Sequence, residues 1–257
     1  MTKTNFWEEQ LEHIRYSLKN ESIETYREWG PVSGIPLYEF WHWVGYLQGV
    51  EDTYYRIKDD ESKFLKWKNS MSPRTWGFSQ RLYNKTLTTV ALPGAGELET
   101  TTYNSRSNHH LETYRKLTSK DVLDYDRIVE FGGGVGDLSR FIFDLGYEGE
   151  YVIYDFPEIL EIQKLNFISS RKKPIFTSDI PSHSNKSTLF ISTWGFSESP
   201  LELRDKFMNT LSPDNWLIIT QRNIFDIDND LYFGSWQGER QEIPWVYWDG
   251  GSYYLVK

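Results

Sequence analysis

Residues 127–137 read RIVEFGGGVGD, and this stretch decides the fold of the chain. Ile128 and Val129 are apolar, β-branched residues that predict a buried strand, and Glu130 lies where that strand ends. The segment from Asp137 to Leu145 has apolar residues at helical spacing, so it predicts a helix directly after the loop. Glycines between a strand and a helix let the backbone approach a bulky ligand, toward which the first helical turn directs its N–H groups. The glycines of this loop are Gly132, Gly133, Gly134 and Gly136.

The spacing of these glycines distinguishes between classes of nucleotide-binding loop. A dinucleotide-binding loop has the pattern G-x-G-x-x-G, whose third glycine would fall on Asp137 or Ser139 in this chain. The pattern that fits is E-x-G-x-G-x-G, which runs from Glu130 to Gly136. It resembles motif I of the class I S-adenosylmethionine (SAM) dependent methyltransferases. The resemblance implies a Rossmann-like fold and SAM as the cofactor.

Two further predicted strands each end in an acidic residue. Residues 151–155 read YVIYD, and residues 175–179 read IFTSD. An acid at the end of the second strand can accept hydrogen bonds from two ribose hydroxyls. In the methyltransferase family the acid at the position of Asp155 holds the SAM ribose. By the same resemblance Asp179 meets the adenine amino group, and Ile180 packs on the ring.

Strands and helices alternate through the second half of the chain, with further strands predicted at 188–192 and 216–220. This alternation predicts an α/β fold with a doubly wound, mostly parallel sheet. Residues 241–248 and 252–256 are strand-like runs around an Asp-Gly-Gly turn, which indicates a closing antiparallel pair. The methyltransferase fold ends in such a pair. We therefore predict a SAM-binding methyltransferase domain at 121–257.

Ligands of open α/β sheets bind at the carboxyl ends of the strands. Thr193 and Trp194 directly follow the fourth predicted strand, so we expect them near the methyl donor. The resemblance and this placement together give the predicted cofactor-binding residues: Glu130, Phe131, Gly132, Gly133, Gly134, Gly136, Asp155, Phe156, Asp179, Ile180, Thr193 and Trp194.

Residues 1–120 are predicted to form a helical N-terminal region that acts as a substrate lid. Residues 5–29 have Phe6, Trp7 and Leu11 at helical spacing. Residues 37–47 are dense in aromatic side chains, which favours helix packing and leaves open stacking on a sugar ring. Residues 100–108 look polar and irregular, and a helix resumes at 109–117.

The composition of the chain limits its partners. The formal net charge of -9 argues against nucleic acid as a partner, since its binding needs basic surface. Cysteine is absent, which excludes disulfides and cysteine-ligated zinc. The sequence has no apolar run of about 18 residues, so we predict no membrane span. We expect a cytoplasmic protein with a small-molecule or glycan substrate, and homo-oligomerisation stays open.

Methyl transfer to an alcohol requires that the hydroxyl proton be removed as the oxygen attacks. Glu198, which follows the fourth strand, is one candidate base, and His109 and His110 are the others. For each of them a structural role, as a cap, a surface residue or a lid contact, is the alternative. Asp226, Asp228 and Asp230 alternate after the fifth strand and could bind Mg²⁺, but a solvated acidic loop is the favoured interpretation, so no metal ligand is predicted.

Within the class, the chain most resembles the predicted sugar O-methyltransferases of polysaccharide clusters. The resemblance rests on the core from Glu130 to Asp155, on the segment from Trp194 to Pro200, and on the polar helix with His109 and His110. The expected reaction is therefore SAM-dependent O-methylation of a sugar or glycan hydroxyl. The alternatives are an O- or N-methyltransferase for another small molecule, a noncatalytic SAM-fold interaction protein, and a nucleotide-sugar or NAD(P) enzyme, which the glycine spacing disfavours.

Overall fold

The computed structural model describes residues 3–28, 40–73, 87–244 and 251–257. The sequence interpretations for the break at 30–36 and for the Asp249-Gly250 part of the last turn lie outside these residues. The side chain of His42 also lies outside them. None of the helices in the described part of the chain combines the length and the hydropathy needed to cross a bilayer.

The elements before residue 120 include helices, one hairpin and a short 3₁₀ helix at Ile23–Glu28. The helices and strands are α1 (Lys3–Asn20), α2 (Phe40–Ile57), α3 (Glu61–Met71), β1 (Leu87–Leu92), β2 (Gly96–Thr101) and α4 (Thr102–Thr118).

The elements after residue 120 follow the predicted alternation, after a 3₁₀ turn at Val122–Asp124. They are β3 (Arg127–Phe131), α5 (Asp137–Asp144), β4 (Glu150–Tyr154), α6 (Pro157–Asn166), β5 (Ile175–Thr177), β6 (Thr188–Thr193), α7 (Leu201–Leu211), β7 (Asn215–Gln221), β8 (Asn223–Ile224), β9 (Ile227–Asp228), α8 (Asn229–Phe233), β10 (Glu239–Ile243) and β11 (Ser252–Val256).

A seven-stranded sheet forms the centre of the molecule, in the spatial order β10–β11–β7–β6–β3–β4–β5. Strands β3 to β7 are parallel, and β11 runs antiparallel to both β7 and β10. If the seven strands of this sheet are renumbered 1 to 7 in chain order, their spatial order, read from the β5 edge, is 3-2-1-4-5-7-6. The predicted doubly wound sheet and its closing antiparallel pair are therefore confirmed. The order of the strands reverses between β3 and β6, and an open sheet binds its ligand at such a point.

Each face of the sheet is covered by a different set of helices. On one face, Val129, Phe190 and Ile218 pack against Phe207 of α7 and Phe233 of α8. On the other face, sheet residues share one buried cluster with residues of α2, α3, α4 and α5. Residues from both sides of position 120 thus belong to one core. The residues of this second cluster include Val50, Trp67, Leu111, Ile128, Leu189, Leu217 and Tyr254.

The structure corrects the sequence interpretation of residues 87–108. A hairpin pairs β1 with β2 in a region predicted to be helical, with Gly94 and Gly96 at φ +81° and +83° in its turn. Residues 102–108, predicted to be irregular, form the first turns of α4. The helix begins where the Thr101 side chain accepts a hydrogen bond from the Asn104 N–H, which caps its N-terminus. Its polar residues looked irregular because they lack an apolar stripe.

Helix α4 is nevertheless buried along most of its length, and hydrogen bonds and ion pairs satisfy two of its buried polar side chains, Asn108 and Glu112. The Asn108 amide donates to the carbonyl of Gly49 in α2 at 2.9 Å and accepts from the Trp67 indole N–H in α3 at 2.8 Å. The Glu112 carboxylate, equally buried, pairs with Arg56 and Arg115. Hydrogen-bonded in this way, polar groups can occupy a core without a large desolvation cost.

We expect Asn108→Ala to lower the free energy of unfolding by about 2–4 kcal/mol, because it leaves the buried Trp67 indole N–H without its acceptor. Urea unfolding followed by circular dichroism would measure this change. Asn185→Ala, at an exposed loop position, is the matched control and should change stability by less than about 0.5 kcal/mol. Equal stability of the two variants would contradict the structural role assigned to Asn108.

Candidate active site

The glycine loop joins β3 to α5 at the carboxyl edge of the sheet. Gly132, Gly134 and Gly136 have φ values of +74°, +55° and +82°, a region that residues with a Cβ rarely adopt. The Gly132 N–H donates to the carbonyl of Tyr154 at 2.9 Å, which ties the loop to the end of β4. A Cβ on Gly134 would meet no atom within 4 Å, so the loop borders open space at this residue.

The loop after β6 contacts the glycine loop directly. A Cβ on Gly132 would lie 3.2 Å from Cα of Gly195, and a Cβ on Gly195 would lie 3.1 Å from Cα of Gly132. The two backbones therefore approach as closely as glycine permits. Trp194 beside this contact has φ +72°, an uncommon conformation for a large residue, and its N–H donates to the Ile219 carbonyl at 2.9 Å.

Asp155 follows β4 and lies beside the glycine loop. Its Oδ1 accepts the Phe156 N–H at 2.9 Å, and its Oδ2 accepts from Nε2 of Gln163 at 2.7 Å. Burial raises the pKa of Asp155 to about 7, although these bonds and the N–H groups of Gly133 and Gly134 favour the charged form. The carboxylate is thus held at the loop, where a ligand with hydroxyl groups would reach it.

Glu130 occupies the end of β3 and is buried, with 1% of its surface exposed. The Tyr151 hydroxyl donates to its Oε2 at 2.9 Å. Burial raises the pKa of Glu130 to about 7, and the negative charges of Asp155 and Asp137 act in the same direction. Two acidic side chains close to the same loop therefore share an environment that disfavours a second negative charge.

The other predicted cofactor-binding residues differ in their exposure. The side chain of Phe131 packs in the core, with its ring centroid 5.0 Å from that of Tyr154. Phe156 is 43% exposed, Asp179 is exposed and Ile180 is half-buried. Thr193 and Trp194 are half-buried, and Gly133 has no room for a side chain, because a Cβ there would lie 3.0 Å from Ile153. The cofactor roles of all these residues stay predictions.

His110 lies on the same side of the sheet as Glu130, against the loop after β6. Its ring centroid is 6.1 Å from that of Trp194, and its Nδ1 lies 2.7 Å from the hydroxyl of Tyr254 in β11. Burial lowers the pKa of His110 well below its ordinary value, so the imidazole is neutral near pH 7. Among the described residues, neither its buried Nε2 nor Nε1 of Trp194 has a hydrogen-bond partner.

His109 has different surroundings from its neighbour. It packs on Gly49 of α2, where a Cβ would lie 2.8 Å from its Nδ1, and it borders a cavity of about 210 Å³ lined also by Glu112 and Gln241. Burial lowers the pKa of His109 to about 4. The structure thus brings His110, rather than His109, into contact with the loop after β6.

Glu198 lies on the loop after β6, where its N–H donates to the Trp194 carbonyl at 3.2 Å. This loop is held by Arg204, a fully buried arginine that donates to the carbonyls of Ser197 and Ser199 and, at 2.7 Å, to Oδ1 of Asn229. Burial lowers the pKa of Arg204 to about 10. The hydrogen bonds from buried Arg204 therefore fix the loop that contains Glu198.

Helix α1 reaches the carboxyl edge of the sheet through a row of aromatic rings. Trp7 lies 5.9 Å from Phe156, Phe6 lies 5.4 Å from Trp7, and Phe6 lies 5.3 Å from Phe225, all between ring centroids. Phe156 follows β4 and Phe225 lies in the turn between β8 and β9, so the row spans the ends of the strands between them. It connects the predicted lid to the predicted cofactor site.

The acidic residues after β7 have structural partners. Asp228 caps α8 by accepting the Leu231 N–H at 2.9 Å, and Asp230 forms ion pairs with Arg222 and Arg240. Asp226 lies in the tight turn between β8 and β9, with φ +64°. The described residues contain no group of three or more His, Asp or Glu side chains that could hold a metal ion.

Sequence reasoning missed Gln163 and Arg106. Gln163 is fully buried and donates to both Asp155 and the Gly134 carbonyl. Gln163 lies four residues after Ile159, so the sequence places it on the apolar face of α6, and this spacing could have indicated that it is buried. Arg106 precedes His110 by four residues, but the two share a helical face only if α4 begins before residue 106. The predicted irregular segment concealed this relation.

Comparison with known proteins gives structural matches only. No protein-family model matches the chain, and no curated protein sequence matches it significantly. Magnesium protoporphyrin IX methyltransferase from Synechocystis PCC 6803, solved with bound SAM, is 12% identical over 80% of this chain and 95% of its own, with a TM-score of 0.40.

Two further structures match a smaller part of this chain. A SAM-dependent methyltransferase from Aquifex aeolicus is 15% identical over 51% of this chain and 80% of its own, with a TM-score of 0.39. The 16S rRNA methylase ArmA is 14% identical over 59% of this chain and 85% of its own, with a TM-score of 0.36. Similarity at this level concerns the fold alone.

The class of the fold follows from the chain's own topology. The strand order 3-2-1-4-5-7-6, with a glycine loop after the first strand and an acid after the second, is that of the class I SAM-dependent methyltransferases. The predicted fold class is therefore confirmed.

The raised pKa of Glu130 predicts how stability depends on pH. Between about 4.5 and 7 the folded protein holds a proton that the unfolded chain releases, so this group makes stability fall as pH rises through that range. Between pH 5 and pH 8 this group should lower the free energy of unfolding of the parent protein by on the order of 2–3 kcal/mol. We expect Glu130→Gln to abolish that decrease. Urea unfolding at both pH values measures it. The exposed Glu202→Gln should behave like the parent, and an unchanged pH dependence in Glu130→Gln would contradict the assignment.

Proposed function

We propose that this protein is a SAM-dependent methyltransferase that transfers a methyl group to a hydroxyl of a small molecule, with a sugar or glycan as the first candidate. The observation that carries the proposal is the placement of the Asp155 carboxylate beside a loop of left-handed glycines at the carboxyl edge of the sheet. This edge is where open α/β sheets bind nucleotides.

The residues around the loop offer SAM open space, hydrogen-bonding groups and acidic side chains. The open space at Gly134 admits a ligand against the backbone, and Asp155 offers carboxylate oxygens to ribose hydroxyls. The buried Oε1 of Gln163 has no hydrogen-bond partner among the described residues, which leaves an acceptor available beside the same site. Glu130 suits a cationic ligand, because a nearby positive charge favours its ionised form. When bound, SAM supplies a methyl group activated by its sulfonium.

His110 is our candidate for the group that receives the acceptor's proton. It is neutral near pH 7, and its Nε2 is available while the Tyr254 hydroxyl holds Nδ1. Because the ring is fixed between Tyr254 and Trp194, it would orient the attacking oxygen as well as accept its proton, and alignment supplies much of the rate of such a displacement. Glu198 on the adjacent loop is the second candidate.

Three features support a small hydroxylated acceptor. The net charge of -9 disfavours a polyanion such as RNA. The aromatic row of Phe6, Trp7, Phe156 and Phe225 provides apolar ring faces that suit the C–H faces of a sugar. Nε2 of His110 and Nε1 of Trp194, which have no hydrogen-bond partner among the described residues, provide hydrogen-bonding groups for a polar acceptor. The N-terminal region would then serve as the substrate lid, with α1 as its outer part.

We expect Gly134→Val to abolish SAM binding while the protein stays folded. A β-branched side chain resists the positive φ and would enter the space proposed for the ligand. Isothermal titration with SAM measures binding, and circular dichroism measures folding. Gly94→Val is the matched control, since Gly94 also has a positive φ and open space around it, but lies in the turn between β1 and β2. Normal SAM affinity in Gly134→Val would refute the loop assignment.

The acceptor class is tested by incubating the protein and SAM with a panel of sugars, glycans, phenols, peptides and RNA. We expect mass spectrometry to find one added methyl group on a sugar hydroxyl. His110→Asn should lower that activity about 10²- to 10⁴-fold, the usual contribution of a general base, and leave SAM affinity nearly unchanged. Methylation confined to a peptide amine or a nucleobase would contradict the proposed acceptor.

A further inference from the structure

Arg106 is a basic side chain of α4 with no described partner. It precedes His110 by four residues in the same helix, so the two side chains lie on the same helical face. The residue is half-buried, and its guanidinium forms no hydrogen bond or ion pair with the residues that the structure describes. By contrast, Arg56 of α2 and Arg115 of α4 both pair with the buried Glu112.

The position of Arg106 is next to the proposed cofactor site. His110, one turn further along, packs on Trp194, and Gly195 then touches Gly132 of the glycine loop. The charge of Arg106 is felt at Glu130, whose pKa it lowers, and at His110, whose pKa it also lowers. Arg106 is therefore close enough for its charge to act on Glu130, yet the two form no ion pair within 4.0 Å.

A partly buried arginine with no partner among the described residues favours an anion at its guanidinium. Taking a guanidinium partly out of water is costly unless an anion or hydrogen-bond acceptors replace the water. Its planar fork of N–H donors matches a carboxylate in a bidentate arrangement. The Glu130 carboxylate is directed to the Tyr151 hydroxyl instead. The site thus offers one basic group and one acidic group that interact through their charges but form no ion pair with each other.

A ligand that matches this pair carries an anion and a cation a few ångströms apart, as an α-amino acid does. We propose that Arg106 binds the carboxylate of the amino-acid end of SAM, while Glu130 binds its ammonium group. The neutral state of His110 is consistent with this, because a charged imidazole would compete with Arg106 for the carboxylate. The inference rests on the proposed function, and it assigns to the N-terminal region a direct part in cofactor binding.

The test compares SAM with decarboxylated SAM, which differs from it only by the carboxylate. Isothermal titration of the parent protein should give an affinity for SAM about 10- to 100-fold higher than for the decarboxylated compound, the usual contribution of a charged hydrogen-bonded pair. In Arg106→Gln the affinity for SAM should fall by about the same factor, and the affinity for decarboxylated SAM should stay within about threefold of the parent's.

Two further variants control for charge and for folding. Arg171→Gln removes an exposed arginine and should leave both affinities unchanged. Arg106→Lys keeps the charge without the bidentate fork, and should retain part of the preference for SAM. Should Arg106→Gln fail to fold, the preference of the parent and of Arg106→Lys for SAM over its decarboxylated form still decides the matter.

The outcomes separate this inference from the proposed function. Arg106 is wrongly assigned if the parent binds both compounds equally, or if Arg106→Gln loses affinity for both by the same factor or for neither. An Arg106→Gln protein that keeps its SAM affinity but no longer binds an acidic sugar such as glucuronate would place the anion on the acceptor, which also overturns the inference. If the parent binds neither compound, the proposed function itself fails.

Discussion

The amide of Asn108 is the constraint on which the N-terminal half of this structure depends. It accepts from Trp67 of α3 and donates to Gly49 of α2, so one buried side chain fixes three helices relative to each other. Because a buried amide that lost these partners would bear a desolvation cost, only one packing of the helices is favourable. The arrangement also sets the direction of α4, and with it the positions of Arg106 and His110 against the carboxyl edge of the sheet.

A second constraint acts at that edge, where the glycine loop and the loop after β6 touch through Gly132 and Gly195. This contact places Gly195, and with it the adjacent Trp194, beside the residues that follow β3, and the His110 ring packs against that of Trp194. Glu130 is buried and Asp155 half-buried at this edge, and the loss of solvent raises the pKa of both to about 7. Holding two carboxyl groups in this environment disfavours folding at neutral pH. A cationic ligand that is hydrogen-bonded by both groups would offset that cost. The unfavourable burial of the two carboxyl groups is thus consistent with the proposed binding of SAM.

The sequence allowed most of the nucleotide fold to be predicted, because its signals are local. Alternating apolar runs located the strands from Arg127 to Val256, and the spacing of Gly132, Gly134 and Gly136 selected the class of loop. The same approach failed for residues 87–108, where β1 and β2 were missed and the start of α4 looked irregular. A helix buried on nearly all sides has no apolar stripe to reveal it. The partners of Asn108 in α2 and α3 lie 59 and 41 residues away in the chain, and Arg56 lies 56 residues from Glu112.

The sequence alone therefore determined which segments form the main strands of the sheet and where the glycine loop lies, since both follow from short-range patterns of apolar residues and glycine. Tertiary structure decided which polar residues meet there. It separated His109, which packs against α2, from His110, which contacts Trp194, although the two are adjacent in the chain. It also brought Gln163 to the Gly134 carbonyl, 29 residues away, and Phe225 to Phe6 across most of the chain. The physical reason is that burial and hydrogen-bond satisfaction belong to the packed whole, and no local window of sequence contains the partners that provide them.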